Sequence, residues 1–372
     1  MINIGITGQN GFIGTHLYNN LRLHKDKYCL IEFKKNYFND KAALDNFVSQ
    51  CDVIVHLAAL NRHELPSFIY ETNVGLVTSL IDSLNRTQST PHIIMSSSSK
   101  EDNDNFYGES KKVGRLTLSE WAKEKNAIFT GMIIPNVFGP FGKPFYNSVI
   151  ATFSYQLTHN QTPKIDIDGE LKLIYIDDLV EDIIKCITIK RNSTTYKVKH
   201  TSISKVSEVL KLLENFKTTY LKRSEIPILN DPFKLNLFNT FRSYIDIKKY
   251  FPVKFTKHND NRGSFVEIIR LGLGGQVSFS TTLPGITRGN HFHTRKIERF
   301  AVIKGKALIQ LRRIGTNKVF DFFLSGDEPG YIDIPIWHTH NIKNIGENYL
   351  YTNFWINEPY NSEDTDTFFE EV

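Results

Sequence analysis

The apolar runs in the first half of the chain are short and nearly unbroken, and this narrows its possible folds more than any other feature. "INIGIT" (2–7), "YCLIEF" (28–33), "DVIVHLAA" (52–59), "HIIMSS" (92–97) and "AIFTGMIIP" (127–135) each read as a strand buried on both faces. Helical stretches stand between several of them, beginning with residues 12–24. Such alternation implies a parallel sheet covered by helices on both sides. "KVSEVLKLLENFKTTYLKRS" (205–224) reads as one more helix. After about residue 250 the texture changes. "GSFVEIIRL", "GQVSFSTT", "FAVIKGKALIQLRRI", "KVFDFFLS" and "YLYTNFWI" alternate or run apolar between Gly, Asn and Asp turns. No convincing amphipathic helix interrupts them, which predicts an all-β sandwich or barrel. At 372 residues the chain suits two domains, and the spacing predicts 1–247 and 248–372.

Composition excludes several classes. Forty per cent hydrophobic and 23% charged residues is an ordinary globular balance, and a net charge of +5 from scattered basic residues is poor support for nucleic acid. Cys29, Cys51 and Cys186 have no paired or metal-type spacing. The chain opens directly on a strand, with no secretory signal before it and no run of membrane-spanning length. The expectation is a cytoplasmic protein that binds neither membrane nor nucleic acid.

Just after the first strand, "TGQNGFIG" places Gly8, Gly11 and Gly14 three residues apart at the opening of a helix. Gly8 permits a tight turn, Gly11 lets a pyrophosphate approach the backbone, and Gly14 allows helix and strand to pack closely. The helix N-terminus offers N–H groups and a positive dipole end to the phosphates. Further on, "IIMSSSSKEDNDNFYGESKK" sets Tyr107 and Lys111 on one helical face. A lysine ammonium beside a phenol lowers its pKa, so Tyr107 could exchange a proton with a carbonyl near neutral pH, with Ser98 holding the same oxygen. After the second strand comes "EFKK". Lys34 and Lys35 could pair with a 2′-phosphate and favour NADPH, whereas Glu32 could hold a ribose hydroxyl.

The second half contains "GITRGNHFHTRKIERFAVIKG" (285–305), in which Gly285, His291, His293, Glu298 and Gly305 recur at fixed spacing. Residues two apart on a strand point the same way, so both imidazoles would face the barrel interior. Downstream, "PIWHTHNIKN" supplies Pro335, His340 and Asn344, with Trp337 two residues after the proline. Three histidines and a carboxylate suit a divalent transition metal.

The first half resembles the extended short-chain dehydrogenase/reductase family, which acts largely on nucleotide sugars. "HLAA" (56–59), Asn73 in "ETNVG", "PNVFGP" (135–140) and "IYIDDLVEDI" (174–183) add to the likeness. It implies a catalytic set of Ser98, Tyr107 and Lys111. It also implies cofactor contacts at Gly8, Gly11, Phe12, Ile13, Gly14, Lys35, Leu57, Ala58, Ala59, Asn73, Tyr107, Lys111 and Pro135. Dehydratases of that family carry an Asp–Glu pair after the hydroxyl residue; here Ser99 and Lys100 stand there. The second half resembles cupins, whose motif spacing implies metal ligands at His291, His293, Glu298 and His340. "DNRGSFVEI" and "ITRGNHFH" also resemble cupin deoxysugar 3,5-epimerases, which implies that Arg262 and Arg288 hold a nucleotide diphosphate. In those enzymes the histidine at the position of His291 is a base rather than a ligand.

As a whole, through "YGESK", "YNSVIATF", "NDNRGSF", "GNHFH" and "DIPIWHTHNI", the chain is similar to bifunctional capsular-polysaccharide enzymes on the route to UDP-N-acetyl-L-fucosamine. The likeness implies a zinc-bearing homodimer acting on a UDP-sugar. Its cupin jelly roll would epimerise C3 of a UDP-4-keto-2-acetamido-2,6-dideoxyhexose. Its reductase half would then reduce C4 with NADPH. A single-activity 4-reductase or 4-epimerase, with a cupin that binds sugar or dimerises the chain, is the alternative. His291, His338 and Lys296 are candidates for moving the C3 proton.

Overall fold

The computed structural model describes every residue except 256, 261, 262, 267, 272–274, 359 and 360, and only the backbone of 257–260, 263–266, 270 and 271. Packing divides it into two units, residues 1–152 with 165–208 and residues 153–164 with 209–372. Residues 209–247, predicted to close the first domain, therefore belong by their contacts to the second unit. Hydrophobic texture changes near 248, but packing changes near 209.

In the first unit six strands form one parallel sheet: β1 (Ile2–Thr7), β2 (Tyr28–Ile31), β3 (Val53–His56), β4 (His92–Ser98), β5 (Phe129–Ile134) and β6 (Ser193–Lys197). Their order is β2-β1-β3-β4-β5-β6. Connections from β1 run to opposite sides, so β1 and β3 part at their carboxyl ends, the place where open α/β sheets receive ligands. Helices α1 (Phe12–Arg22), α2 (Lys41–Ser49), α3 (Pro66–Thr87) and α4 (Phe106–Glu124) are among those that cover the sheet. Val77, Leu80 and Leu84 of α3 and Leu118 and Trp121 of α4 close over Ile54, Ile93 and Met95. Burying a large apolar side chain in this way contributes roughly 1.5–3 kcal/mol. No helix among the described residues is long and apolar enough to cross a membrane.

The second unit joins helical segments to two antiparallel sheets. The helix predicted over 205–224 is α-helical over Val206–Phe216 and continues as a wider turn over Lys217–Lys222. Helix α5 (Pro232–Arg242) is capped by the Asp231 carboxylate on Phe233 N–H at 2.7 Å. The long strands are β7 (Gln276–Thr282), β8 (Thr287–Phe292), β9 (Glu298–Lys304), β10 (Lys306–Arg313), β11 (Val319–Ser325), β12 (Gly330–Ile334), β13 (His338–Asn344) and β14 (Leu350–Ile356). One sheet runs Val253–Lys254, β12, β9, β14, β7, and the other β11, β10, β13, β8, Phe368–Phe369. This is the double sheet of a cupin jelly roll. Phe300, Val302, Ile309, Leu311, Tyr331, Ile332 and Ile342 fill the space between the sheets. A buried ion pair ties neighbouring strands: Arg299 Nε and Nη2 reach the Asp333 carboxylate at 2.7 and 2.9 Å, and the Tyr220 hydroxyl donates to the same group.

Candidate functional site

The glycine turn sits at the parting of β1 and β3. Gly8 has a φ of +76°, and a Cβ there would lie 2.8 Å from Ala58 N, so the turn runs directly against the "LAA" stretch. A Cβ on Gly14 would fall 2.3 Å from the Gly8 carbonyl, closer than any side chain permits. Gly11 is the α1 N-cap and has no side chain to occupy the space over the first turn. Phe12, Ile13 and Gly14 form that first turn, whose N–H groups have no acceptor inside the helix. The cradle fits a dinucleotide pyrophosphate.

Asn73 is buried in α3, and its amide accepts from Leu60 N at 2.7 Å and donates to Leu60 O and Ser110 Oγ. One N–H holds the chain beyond β3 and the other ties α3 to α4. Beyond β2, Lys34 pairs with Glu32 at 3.4 Å, while Lys35 is exposed at the start of the next turn. Pro135 follows directly on β5.

Ser98 ends β4, while Tyr107 and Lys111 stand in the opening turns of α4, which Asn105 caps through Gly108 N–H at 2.8 Å. A Cβ at Gly108 would come within 2.2 Å of the Lys100 carbonyl, so the Ser98–Asn105 loop lies tight against the helix start. Ser98 and Tyr107 share a hydrogen bond, but the electrostatics differ from the sequence expectation. Burial, with Tyr146 beside it, raises the Tyr107 phenol, and a hydrogen bond with Ser98 only partly opposes this. Lys111 is itself buried, which pulls its ammonium down to about 8 against the pull of Glu101, and its Nζ reaches Ser96 Oγ at 3.5 Å. A desolvated ammonium aimed at Ser96 does not depress the phenol in the cofactor-free protein.

Glu101, three residues beyond Ser98, is spoken for. Its carboxylate accepts from Arg115 Nη2 at 2.6 Å and Nε at 3.1 Å and from Ser97 Oγ at 2.5 Å, all buried. It anchors the loop between Ser98 and Tyr107 and is no free acid for elimination. Sequence spacing had singled out neither it nor Tyr146.

In the cupin, His291, His293, Glu298 and His340 converge, with one ligand atom from each within 4.8 Å of the others. His291 and His340 face each other across β8 and β13. The strand is less regular than expected: the register shifts between Gly289 and His291, and β8 stops at Phe292. His293 therefore lies just past the strand. Trp337 takes the left-handed region at φ 58°, the conformation a glycine would adopt easily. Its backbone N–H donates to the His293 carbonyl at 2.7 Å and its ring stacks on Phe292, which holds the loop in this conformation.

Nε2 of His293 and Nε2 of His340 each lie 3.1 Å from the same Glu298 oxygen. All three atoms are buried, and none has a hydrogen bond of good geometry. Lone pairs turned on one point without aligned hydrogens are what a divalent cation requires. The far nitrogens are committed to backbone: His293 Nδ1 bonds the Asp366 carbonyl, and His340 Nδ1 lies 3.4 Å from the His338 carbonyl. Burial brings His291 down to about 4. For His293 burial acts downward too, but Glu298 and Asp366 outweigh it and the net shift is upward. Burial would raise Glu298, yet His293 and His340 hold it well below the ordinary carboxylate range.

His338 is buried outside this cluster, brought down to about 4 by burial, with Nδ1 3.1 Å from the Ile336 carbonyl. Lys296 is buried and donates to the Thr365 carbonyl at 2.8 Å. Arg288 is exposed on β8, and Arg262 lies outside the described residues.

Residues 4–198 match the NAD dependent epimerase/dehydratase family. The chain belongs to this family. Residues 258–368 of this epimerase/dehydratase family member match the polysaccharide biosynthesis C-terminal domain. Over its full length it resembles the capsular polysaccharide assembling protein CapF from Staphylococcus aureus, at 34% identity and a TM-score of 0.63, covering 100% of both chains. A UDP-2-acetamido-2,6-beta-L-arabino-hexul-4-ose reductase of Pseudomonas aeruginosa is 30% identical over 98% of this chain and 97% of its own. The spore coat polysaccharide biosynthesis protein SpsL of Bacillus subtilis is 28% identical over 30% of this chain and 82% of its own. The epimerase/dehydratase half and the capsule-type C-terminal half thus occur together, as in CapF, and the chain is an NAD(P)-dependent nucleotide-sugar enzyme of the CapF type.

Proposed function

We propose that the chain carries out two consecutive steps on one nucleotide sugar. The cupin half epimerises C3 of a UDP-4-keto-2-acetamido-2,6-dideoxyhexose. The epimerase/dehydratase half then reduces C4 with NADPH, giving UDP-2-acetamido-2,6-dideoxy-L-talose for a surface polysaccharide. The observation that carries this reading is the presence, in one chain, of the Ser98–Tyr107–Lys111 set and the His291–His293–Glu298–His340 cluster. The relative aligned over 98% of this chain is a UDP-2-acetamido-2,6-beta-L-arabino-hexul-4-ose reductase.

A C–H bond beside a ketone breaks readily because the carbanion's charge moves to oxygen. A divalent cation, zinc in this reading, would be held by His291, His293, Glu298 and His340 and would lend positive charge to such an oxygen. Arg288 and Arg262 would steady the diphosphate. In the other half, the dinucleotide would lie on Gly8, Gly11 and the first turn of α1, with Leu57–Ala59 and Pro135 lining its course and Lys35 beside its 2′-phosphate; bound there, it supplies the hydride. Ser98 and Tyr107 then hold the C4 oxygen. Tyr107 delivers the proton that turns the ketone into an alcohol, and the Lys111 ammonium offsets the negative charge left on the phenolate and grips the ribose. With Glu101 locked on Arg115, elimination has no acid, and reduction is the outcome. The enzyme would act as a homodimer.

The test is mass spectrometry of the product formed from the 4-keto sugar nucleotide and NADPH in D2O. One carbon-bound deuteron at C3 of a reduced product is expected. Reduction with no deuterium on carbon would leave a plain reductase and remove epimerisation from the reading.

A further inference from the structure

Asp366 reaches the metal cluster from far along the chain and acts there through both its main chain and its side chain. It takes a left-handed conformation, φ 42°, that turns its carboxylate back over the loop between two ligands. One oxygen accepts from Thr294 N at 3.0 Å and Thr294 Oγ1 at 2.6 Å. The other accepts from Arg295 N and Lys296 N, each at 3.0 Å. Three successive N–H groups, all between His293 and Glu298, are thereby fixed by one side chain. Its carbonyl meanwhile accepts from His293 Nδ1.

The neighbours of Asp366 extend the same grip. Thr365 O takes the Lys296 ammonium at 2.8 Å. Phe369 pairs with His291 and Phe368 with Phe292 along the edge of β8. Glu370 N donates to Asn290 O at 3.0 Å, and Thr339, next to His340, donates to the Glu370 carbonyl. Arg312 holds the Glu370 carboxylate at 3.0 Å. Every ligand thus has segment 365–371 against itself or against a residue one or two positions away.

We infer that Asp366 is a positioning residue of the metal centre, setting the tautomer of His293 and the spacing of His293 from Glu298. The inference rests on the reading of the four-residue cluster as a metal site. A neutral imidazole that donates from Nδ1 to a fixed carbonyl must present Nε2 as a lone pair, and its ring cannot swing away. A loop whose three N–H groups close on one carboxylate cannot lengthen the path between the ligands. The carboxylate therefore acts on metal geometry although it touches no ligand atom.

The experiment measures Zn2+ binding to the full chain by competition with a chromophoric chelator, alongside thermal melting of the metal-free and zinc-loaded forms. Variants are Asp366→Ala, the milder Asp366→Asn, and His291→Ala as a ligand control. The expected result is a 10- to 100-fold weaker affinity for Asp366→Ala, the range seen when groups that orient ligands are removed. Asp366→Asn should fall between it and wild type. The gain in melting temperature on adding zinc should shrink in the same order. A merely structural Asp366 would lower both melting temperatures equally and leave affinity unchanged, which would overturn the inference while the metal reading stands. Failure of the wild-type chain itself to take up zinc would instead overturn the metal reading, and this inference with it.

Discussion

Lys111 is kept where its charge is unwelcome, and that has a measurable consequence. Its ordinary pKa of 10.5 is brought to about 8 by burial, so below pH 8 the folded protein carries an ammonium that would rather be in water. The difference amounts to roughly 3 kcal/mol of stability forgone at neutral pH. The sign follows from proton counting: between pH 8 and 10.5 the unfolded chain binds more protons at this residue than the folded one, so stability rises with pH there. The penalty is complete below that window and absent above it. Replacing Lys111 with Met keeps the length of the stem and discards the charge, losing the 3.5 Å contact with Ser96 and the pull of Glu101, which burial outweighs. Lys111→Met should therefore be more stable than wild type at pH 7, by up to about 3 kcal/mol. For a domain of this size that is a rise of about 2–4 °C in melting temperature per kcal/mol. The advantage should dwindle as pH is raised toward 10.5, while reduction of the keto sugar collapses. Calorimetry of both proteins without cofactor at pH 7 and pH 10, with NADPH oxidation as the activity readout, decides it. A variant less stable at pH 7, or one whose advantage ignores pH, would refute the argument that desolvation governs this lysine.

Other perturbations separate the two chemistries. Tyr107→Phe removes the proton donor and should slow NADPH oxidation about 10²- to 10⁴-fold, with deuterium exchange at C3, read by NMR, untouched. Glu298→Gln should do the reverse for the first step: exchange falls and bound zinc, measured by elemental analysis, is lost, while reduction of an already epimerised ketone continues. Gly14→Ala forces a Cβ against the Gly8 carbonyl and should weaken NADPH binding, measured by fluorescence titration, as well as lower the melting point. Asp333→Ala leaves the buried Arg299 guanidinium without its carboxylate and should cost about 3–5 kcal/mol in urea unfolding.

The parts of this protein that were legible in the sequence are those whose chemistry is local. Gly8, Gly11 and Gly14 sit on one turn, Tyr107 and Lys111 on one helical face, and His291 and His293 on one strand end, so short-range spacing carries their geometry. Apolar texture revealed both sheets but says nothing of where the packing divides, because the helices 209–216 and 232–242 are amphipathic in the ordinary way and nothing local says which core receives them. The raised phenol escaped for a related reason: besides burial, the charge that raises Tyr107 is that of Tyr146, which comes from another part of the chain. Asp366 was invisible altogether. Its partners His293–Lys296 stand about seventy residues away, and an aspartate among the acidic residues of "NSEDTDTFFEEV" has no spacing that marks it.

The order of the two proposed steps is set by the substrate and not by the protein. C3–H is labile only while C4 is a ketone, because only then can the charge left on carbon reach oxygen. Reduction therefore ends epimerisation as surely as it completes the product. A chain with both activities works only if C3 inverts at least as fast as C4 is reduced; otherwise the reductase would trap unepimerised sugar. Raising the NADPH concentration tests this directly. If reduction is gated by C3 configuration, the product remains wholly the inverted sugar at every NADPH concentration. If it is gated by relative rates alone, the uninverted alcohol grows as NADPH saturates.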